Sequence, residues 1–218
     1  MIRIWILCLS LFSSVYAAKV EYPHLYFAVG IPYIEIQGNH PARARDFTAL
    51  NIGSTLQYNI SEEGSIGLVI DASYTPDRKD MKIKENYETV EGDTSLLTSF
   101  YSLVYMQRFA HFENHRLWFT LGPTLGLYTL DFRTLHQNEA DISTVNRVRV
   151  RNHGYRVSFK LMNKDRKTFY ELAFYSVEEE KFTIIDDSSN DAEELYEVQS
   201  QQRRTNQAII LNYGFRLF

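Results

Sequence analysis

The chain has 218 residues, a formal net charge of −4 and a mean hydropathy of −0.30, with Tyr and Phe far outnumbering Trp. This mildly acidic balance lacks the clustered Lys and Arg of a nucleic-acid-binding domain, so no nucleic-acid partner is expected. The single cysteine, Cys8, excludes a disulfide framework and a cysteine-based metal site.

Residues 1–17 have the form of a secretory signal peptide. Arg3 supplies the positive start, Ile4 to Phe12 the apolar core, and Val15-Tyr16-Ala17 the small or branched residues before an expected cleavage after Ala17. The apolar run is shorter than the ~20 residues of a spanning helix. Cys8 lies inside that run behind bulky residues, which argues against lipidation. The mature domain is then 18–218, with net charge −5 once Arg3 is removed.

After residue 22 the apolar positions recur with period two almost everywhere, the pattern of strands with unlike faces. Leu25, Phe27, Val29, Ile31 and Tyr33 share one face of a first strand. Leu50, Ile52, Leu56 and Tyr58 mark a second, and Ile66, Leu68, Ile70, Ala72 and Tyr74 a third. A fourth carries Leu97, Tyr101, Leu103 and Tyr105, and a fifth Leu117, Phe119, Leu121, Leu125 and Leu127. Tyr155, Val157, Phe159 and Leu161 define a sixth, Tyr170, Leu172 and Phe174 a seventh, and Ile209, Leu211, Tyr213, Phe215 and Leu217 an eighth. The intervening positions are rich in Gly, Thr, Asn and Ser. Pro123 falls inside the fifth strand, where its missing donor calls for a bulge.

Connections alternate between short (61–65, 110–116, 162–167) and long polar segments (37–46, 75–94, 133–152, 178–204). Eight strands of about ten residues with that alternation predict an all-β, antiparallel, up-and-down transmembrane barrel. No segment after residue 17 could cross a bilayer as a helix, and only closure satisfies the backbone of strands in lipid. A lipocalin-like soluble barrel has the same strand count with the apolar face turned inward. The small polar residues of the second face and the tyrosines near strand ends (Tyr33, Tyr58, Tyr74, Tyr105, Tyr155, Tyr170, Tyr213) favour apolar-out, with an interfacial aromatic girdle.

The last strand ends Tyr213-Gly214-Phe215-Arg216-Leu217-Phe218. With its glycine, alternating apolar residues and final Phe, it resembles the C-terminal assembly signal of outer-membrane barrels, although Phe218 falls out of phase with Phe215 and Leu217. As a pattern over the whole mature chain, the sequence resembles OmpA- and OmpX-type eight-stranded barrels. That resemblance implies insertion by the outer-membrane assembly machinery, outer-membrane lipids and lipopolysaccharide as surroundings, and a Gram-negative outer membrane with periplasmic termini. It implies no particular activity.

Five ionisable residues are expected on the lumen face: Asp71, Arg156, Lys160, Glu171 and Arg216. Opposite charges inside so narrow a barrel are expected to pair, because unpaired buried charge is costly, though they could instead line a small-solute pore. Arg147, Arg149 and Arg151 alternate in phase with Tyr155. They are placed either against lipopolysaccharide phosphates or in ion pairs with Glu178 and Glu180. If residues 162–167 form the turn, Leu161 faces Thr168, Arg151 meets Glu178 and Arg149 meets Glu180. The fourth and fifth strands are expected to set Phe109 against Leu117 and Phe100 against Gly126.

The acidic stretch Asp186 to Asp191 hints at calcium without the order of an EF-hand loop, and no cofactor is expected. Lipid A deacylases share a His-x-Ser pair, and outer-membrane proteases an Asp-His dipeptide; neither occurs here. The expected role is structural or surface-interacting through the external loops, with a pore or a lipid A-modifying enzyme as alternatives.

Overall fold

The computed structural model describes residues 23–36, 44–48, 50–85, 88–135, 143–186, 193–197 and 205–217; the expected signal peptide and Phe218 lie outside them. Ten strands follow in order: β1 (His24–Ile36), β2 (Ala44–Thr48), β3 (Leu50–Asn59), β4 (Gly64–Glu85), β5 (Glu88–His111), β6 (His115–Leu135), β7 (Ser143–Asn163), β8 (Thr168–Asp186), β9 (Glu193–Glu197) and β10 (Thr205–Arg216). Eight of them (β1, β3 to β8 and β10) pair antiparallel in sequence, and β10 pairs with both β8 and β1. The sheet therefore closes on itself, so that the barrel wall has no free edge. The short β2 and β9 add to β1 and β8 at the end where the long connections lie.

The eight strands expected from period two are the eight barrel strands, and their large apolar residues face outward, among them Ile31, Leu50, Leu103, Tyr155 and Leu211. The strands are longer than expected. β4 and β5 run for 22 and 24 residues, and β6 and β7 for 21 each. Much of 75–94, 133–152 and 178–204, and the end of 37–46, expected as loops, is strand. The reason is a reversal of polarity along the wall. Beyond the apolar belt Leu130, Val148, Val150 and Val177 point inward and are buried, while Arg149, Arg151 and Glu178 point outward. Period two persists, but the apolar face has become the inner one. A strand traced by its outward apolar residues stops too early.

Two registers show what parity can and cannot fix. Phe100 faces Gly126, as expected. At the end of that pair of strands, however, a bulge between Arg108 and Ala110 sets Leu117 against Ala110 and turns Phe109 out, 76% exposed. Pro123 makes no bulge. Pairing with β5 lapses between Ser102↔Thr124 and Tyr105↔Leu121 without a change of register, while pairing with β7 continues through Pro123↔Tyr155. The missing donor is absorbed by that local lapse.

Between β7 and β8 the expected register is displaced by two residues: Leu161 faces Tyr170, not Thr168, and Phe159 faces Leu172. The turn is tighter than 162–167. Arg166 takes a left-handed conformation (φ 57°), its N–H donates to the Asn163 carbonyl at 2.8 Å, and Asn163 Nδ2 donates to Thr168 Oγ1 at 2.6 Å. A shift of two keeps every side chain on its face, so apolar still meets apolar. The ribbon stays paired out to Asn146↔Asp186, with one extra residue on β8, Glu180, between Asn152↔Glu179 and Arg151↔Lys181.

Close approaches in the wall make two glycines unequal. A Cβ on Gly154 would lie 2.0 Å from the Ser176 carbonyl oxygen, whereas one on Gly126 would lie 3.3 Å from the edge of the Phe100 ring. Gly154→Ala should abolish the heat-modifiable folded band on gels, because neighbouring backbone cannot retreat; Gly126→Ala should keep it. Phe100→Ala should destabilise by ~3–5 kcal/mol, as for other buried Phe truncations, read as a lower urea midpoint in detergent.

Candidate functional site

The lumen is filled in three layers. At the tight-turn end Tyr26, Val69, Val104, Met106, Trp118, Met162 and Phe169 form one buried apolar cluster. At the long-hairpin end Ile34, Leu96, Phe100, Tyr128, Leu130, Val148, Val150, Tyr175 and Val177 belong to another. Between them lies a band of buried polar side chains that carries the charges.

Glu171 on β8 is the hub of that band. It accepts hydrogen bonds from Arg156 at 2.8 Å and from Ser158 at 2.7 Å, and Lys160 Nζ lies 3.9 Å away. Arg156 also donates to Ser158 (2.9 Å) and to the Tyr175 hydroxyl (2.8 Å). Tyr175 in turn donates to Asp71, which also accepts from Asn51 at 2.9 Å and Asn212 at 3.3 Å. Lys160 lies 4.4 Å from the ring centre of Phe169, a cation–π arrangement suited to a desolvated ammonium. Arg156, Lys160 and Glu171 are all but inaccessible, and two cations balance two carboxylates.

β4 and β8 stand opposite one another in the eight-strand ring, so the Tyr175–Asp71 bond crosses the whole lumen. Phe100 stacks on the Tyr175 ring at 4.2 Å, and Tyr128 meets Phe100 edge-on at 5.8 Å. The charged band is therefore capped by packed rings on the long-hairpin side. Of the five expected lumen residues the structure brings four together. Arg216 stands apart: as the last residue of β10 it is only half-buried, opposite Tyr26. Tyr175, Ser158, Asn51 and Asn212 complete the network and were not singled out from sequence. Tyr175 shares parity with Glu171, which was the available signal. The expectation of a polar lumen also needs correction, because apolar clusters occupy both its ends.

The expected assembly-signal residues Tyr213, Phe215 and Leu217 face outward, and Gly214 faces inward beneath Phe169, whose ring atoms would lie 2.2 Å from a Cβ there. On the outer face beyond the belt, Arg151 pairs with Glu180 at 3.3 Å and Arg147 with Asp131 at 2.6 Å. Neither Arg151–Glu178 nor Arg149–Glu180 forms, because of the two-residue register shift and the extra residue at Glu180. Glu178 instead faces His153 and Thr205. Of the acidic stretch with a calcium-like pattern, residues 187–191 lie outside the described residues.

Removing one partner of the Arg156–Glu171 pair strands a buried charge. Glu171→Ala should cost ~3–5 kcal/mol, and replacing both residues by Met should recover most of it. Urea unfolding of the two variants in detergent measures this; equal losses would mean that the pair is not a unit.

No family model matches the chain, and no curated protein does. Among solved structures, a major outer membrane protein of Thermus thermophilus is similar over 90% of this chain and 100% of its own, at 7% identity and a TM-score of 0.50. The attachment invasion locus protein Ail of Yersinia pestis matches over 90% and 100%, at 8% identity and a TM-score of 0.46. The outer membrane protease OmpT of Escherichia coli matches over 93% and 99%, at 10% identity and a TM-score of 0.45. At such identity the Thermus likeness speaks to fold alone. With the closed ring, the apolar exterior and the Thermus likeness, the chain is an eight-stranded barrel of the outer-membrane type.

Proposed function

We propose that this protein resides in a Gram-negative outer membrane with its tight turns and termini in the periplasm, and that it acts through the surface of its long hairpins, not through its lumen. The observation that carries this reading is the hydrogen-bonded crossing of the lumen from Tyr175 to Asp71, sandwiched between two apolar clusters. Ions would have to break a neutral, mutually satisfied network and also pass packed aromatic rings. In the central band Glu171, Arg156 and Lys160 are turned on one another and Asp71 on Tyr175, Asn51 and Asn212, which supports a non-enzymatic, structural or surface-binding role. Short turns at one end and long hairpins at the other fit the usual orientation of such barrels. The Tyr213–Leu217 strand is the segment that the assembly machinery would engage.

Purified protein in planar bilayers should give no discrete conductance; steady ion-selective steps would establish the pore reading instead. An unchanged lipid A mass spectrum in cells lacking the protein is expected, and loss of one lipid A species would establish the enzyme reading. In intact cells Arg149→Cys, above the belt, should react with an impermeant thiol reagent, and Asp165→Cys, in a tight turn, should not. The opposite result would invert the topology.

A further inference from the structure

We propose that the outer face of β6, β7 and β8 just above the apolar belt binds the phosphorylated headgroup of an outer-leaflet glycolipid. Arg147, Arg149 and Arg151 project from the same face of β7, with steps of about 7 Å between successive guanidinium-bearing positions. Their surroundings differ. Arg147 is held by Asp131 at 2.6 Å and Arg151 touches Glu180 at 3.3 Å while remaining 58% exposed. Arg149 faces Thr129 on one side and Thr183 on the other, hydroxyl groups that cannot neutralise it. Among the described residues no acidic side chain pairs with it. The two-residue register shift brings the Glu180 carboxylate to Arg151, and the extra residue at Glu180 then sets Arg149 opposite Thr183.

The depth of the patch selects the ligand. Arg151 lies directly across from Leu127, an exposed outward apolar residue of β6. Arg149 is one step, about 7 Å, farther from the belt. Below them Tyr155 is 67% exposed and Leu121 and Leu127 are also exposed, a surface for acyl chains. A ligand that lays its chains on those residues carries its headgroup to Arg149 and Arg151. Guanidinium groups are suited to phosphate, because their fork of donors matches its oxygens. A lipid with phosphates on a sugar headgroup meets both requirements at once.

This inference rests on the outward orientation proposed above for the hairpins. Binding is measured on detergent-solubilised protein and does not depend on orientation, so thiol labelling and lipid titration fail separately. Full-length protein in non-ionic detergent, titrated with diphosphorylated lipid A and followed by native mass spectrometry, should retain that lipid in preference to its dephosphorylated form. Arg149→Ala with Arg151→Ala should weaken retention by about tenfold or more, the scale of one lost charge-assisted contact. Arg149→Lys should lose part of the affinity by keeping the charge without the fork. Lys164→Ala with Lys167→Ala, cations of the opposite end, should leave it unchanged. All variants should keep the heat-modifiable folded band. Equal retention of the two lipid forms, an unaffected double arginine variant, or an equal loss from the lysine pair would overturn the proposal.

Discussion

Closure of the sheet through β10 is the constraint on which everything else in this molecule depends. In lipid an unpaired strand edge leaves backbone donors and acceptors without water, at several kcal/mol each. β10 removes both edges at once by pairing with β8 from Thr205 to Phe215 and with β1 from Gln207 to Arg216. Closure at eight strands then fixes the interior at a width that side chains can fill. What the lumen holds is a packing problem before it is a functional one.

That problem is solved by layering. A continuous charged lumen would have left desolvated groups unpaired, and a wholly apolar one would have given the inner and outer faces the same character. Here one narrow band holds Arg156, Lys160, Glu171 and Asp71, Glu179 is buried nearer the long hairpins beside Asn152 and Asn206, and the remaining levels inside the described barrel are largely packed with apolar or small polar residues. Glycines make the layers possible. Phe100 lies over Gly126 and Phe169 over Gly214, so each ring covers bare backbone and pins the pairing beneath it.

Along the axis the wall changes solvent, and its pattern changes with it. Within the belt lipid takes the apolar face. Beyond it the hairpins obey the rule of a soluble barrel, with Leu130, Val148 and Val150 inside and the arginines outside. The boundary between these regimes is where a side chain can reach both acyl chains and headgroups. Arg149 and Arg151 stand at that boundary.

The sequence by itself determined the number of barrel strands, the closure and the face of each residue within the apolar belt, because period two survives any register and the outward apolar stripes of eight strands are individually visible. It also placed Asp71, Arg156, Lys160 and Glu171 on one inner face by parity alone. Only the tertiary structure decided the rest. The turn at Arg166 moved β8 by two residues, a shift invisible to parity, and thereby chose Glu180 over Glu178 as the partner of Arg151. Tyr175 joined the network because closure sets β8 across from β4, a relation between residues 104 positions apart that no local pattern encodes. The long strands beyond the belt were hidden for a related reason: which face is apolar depends on what surrounds the wall, and that is a property of the assembled barrel in its two solvents.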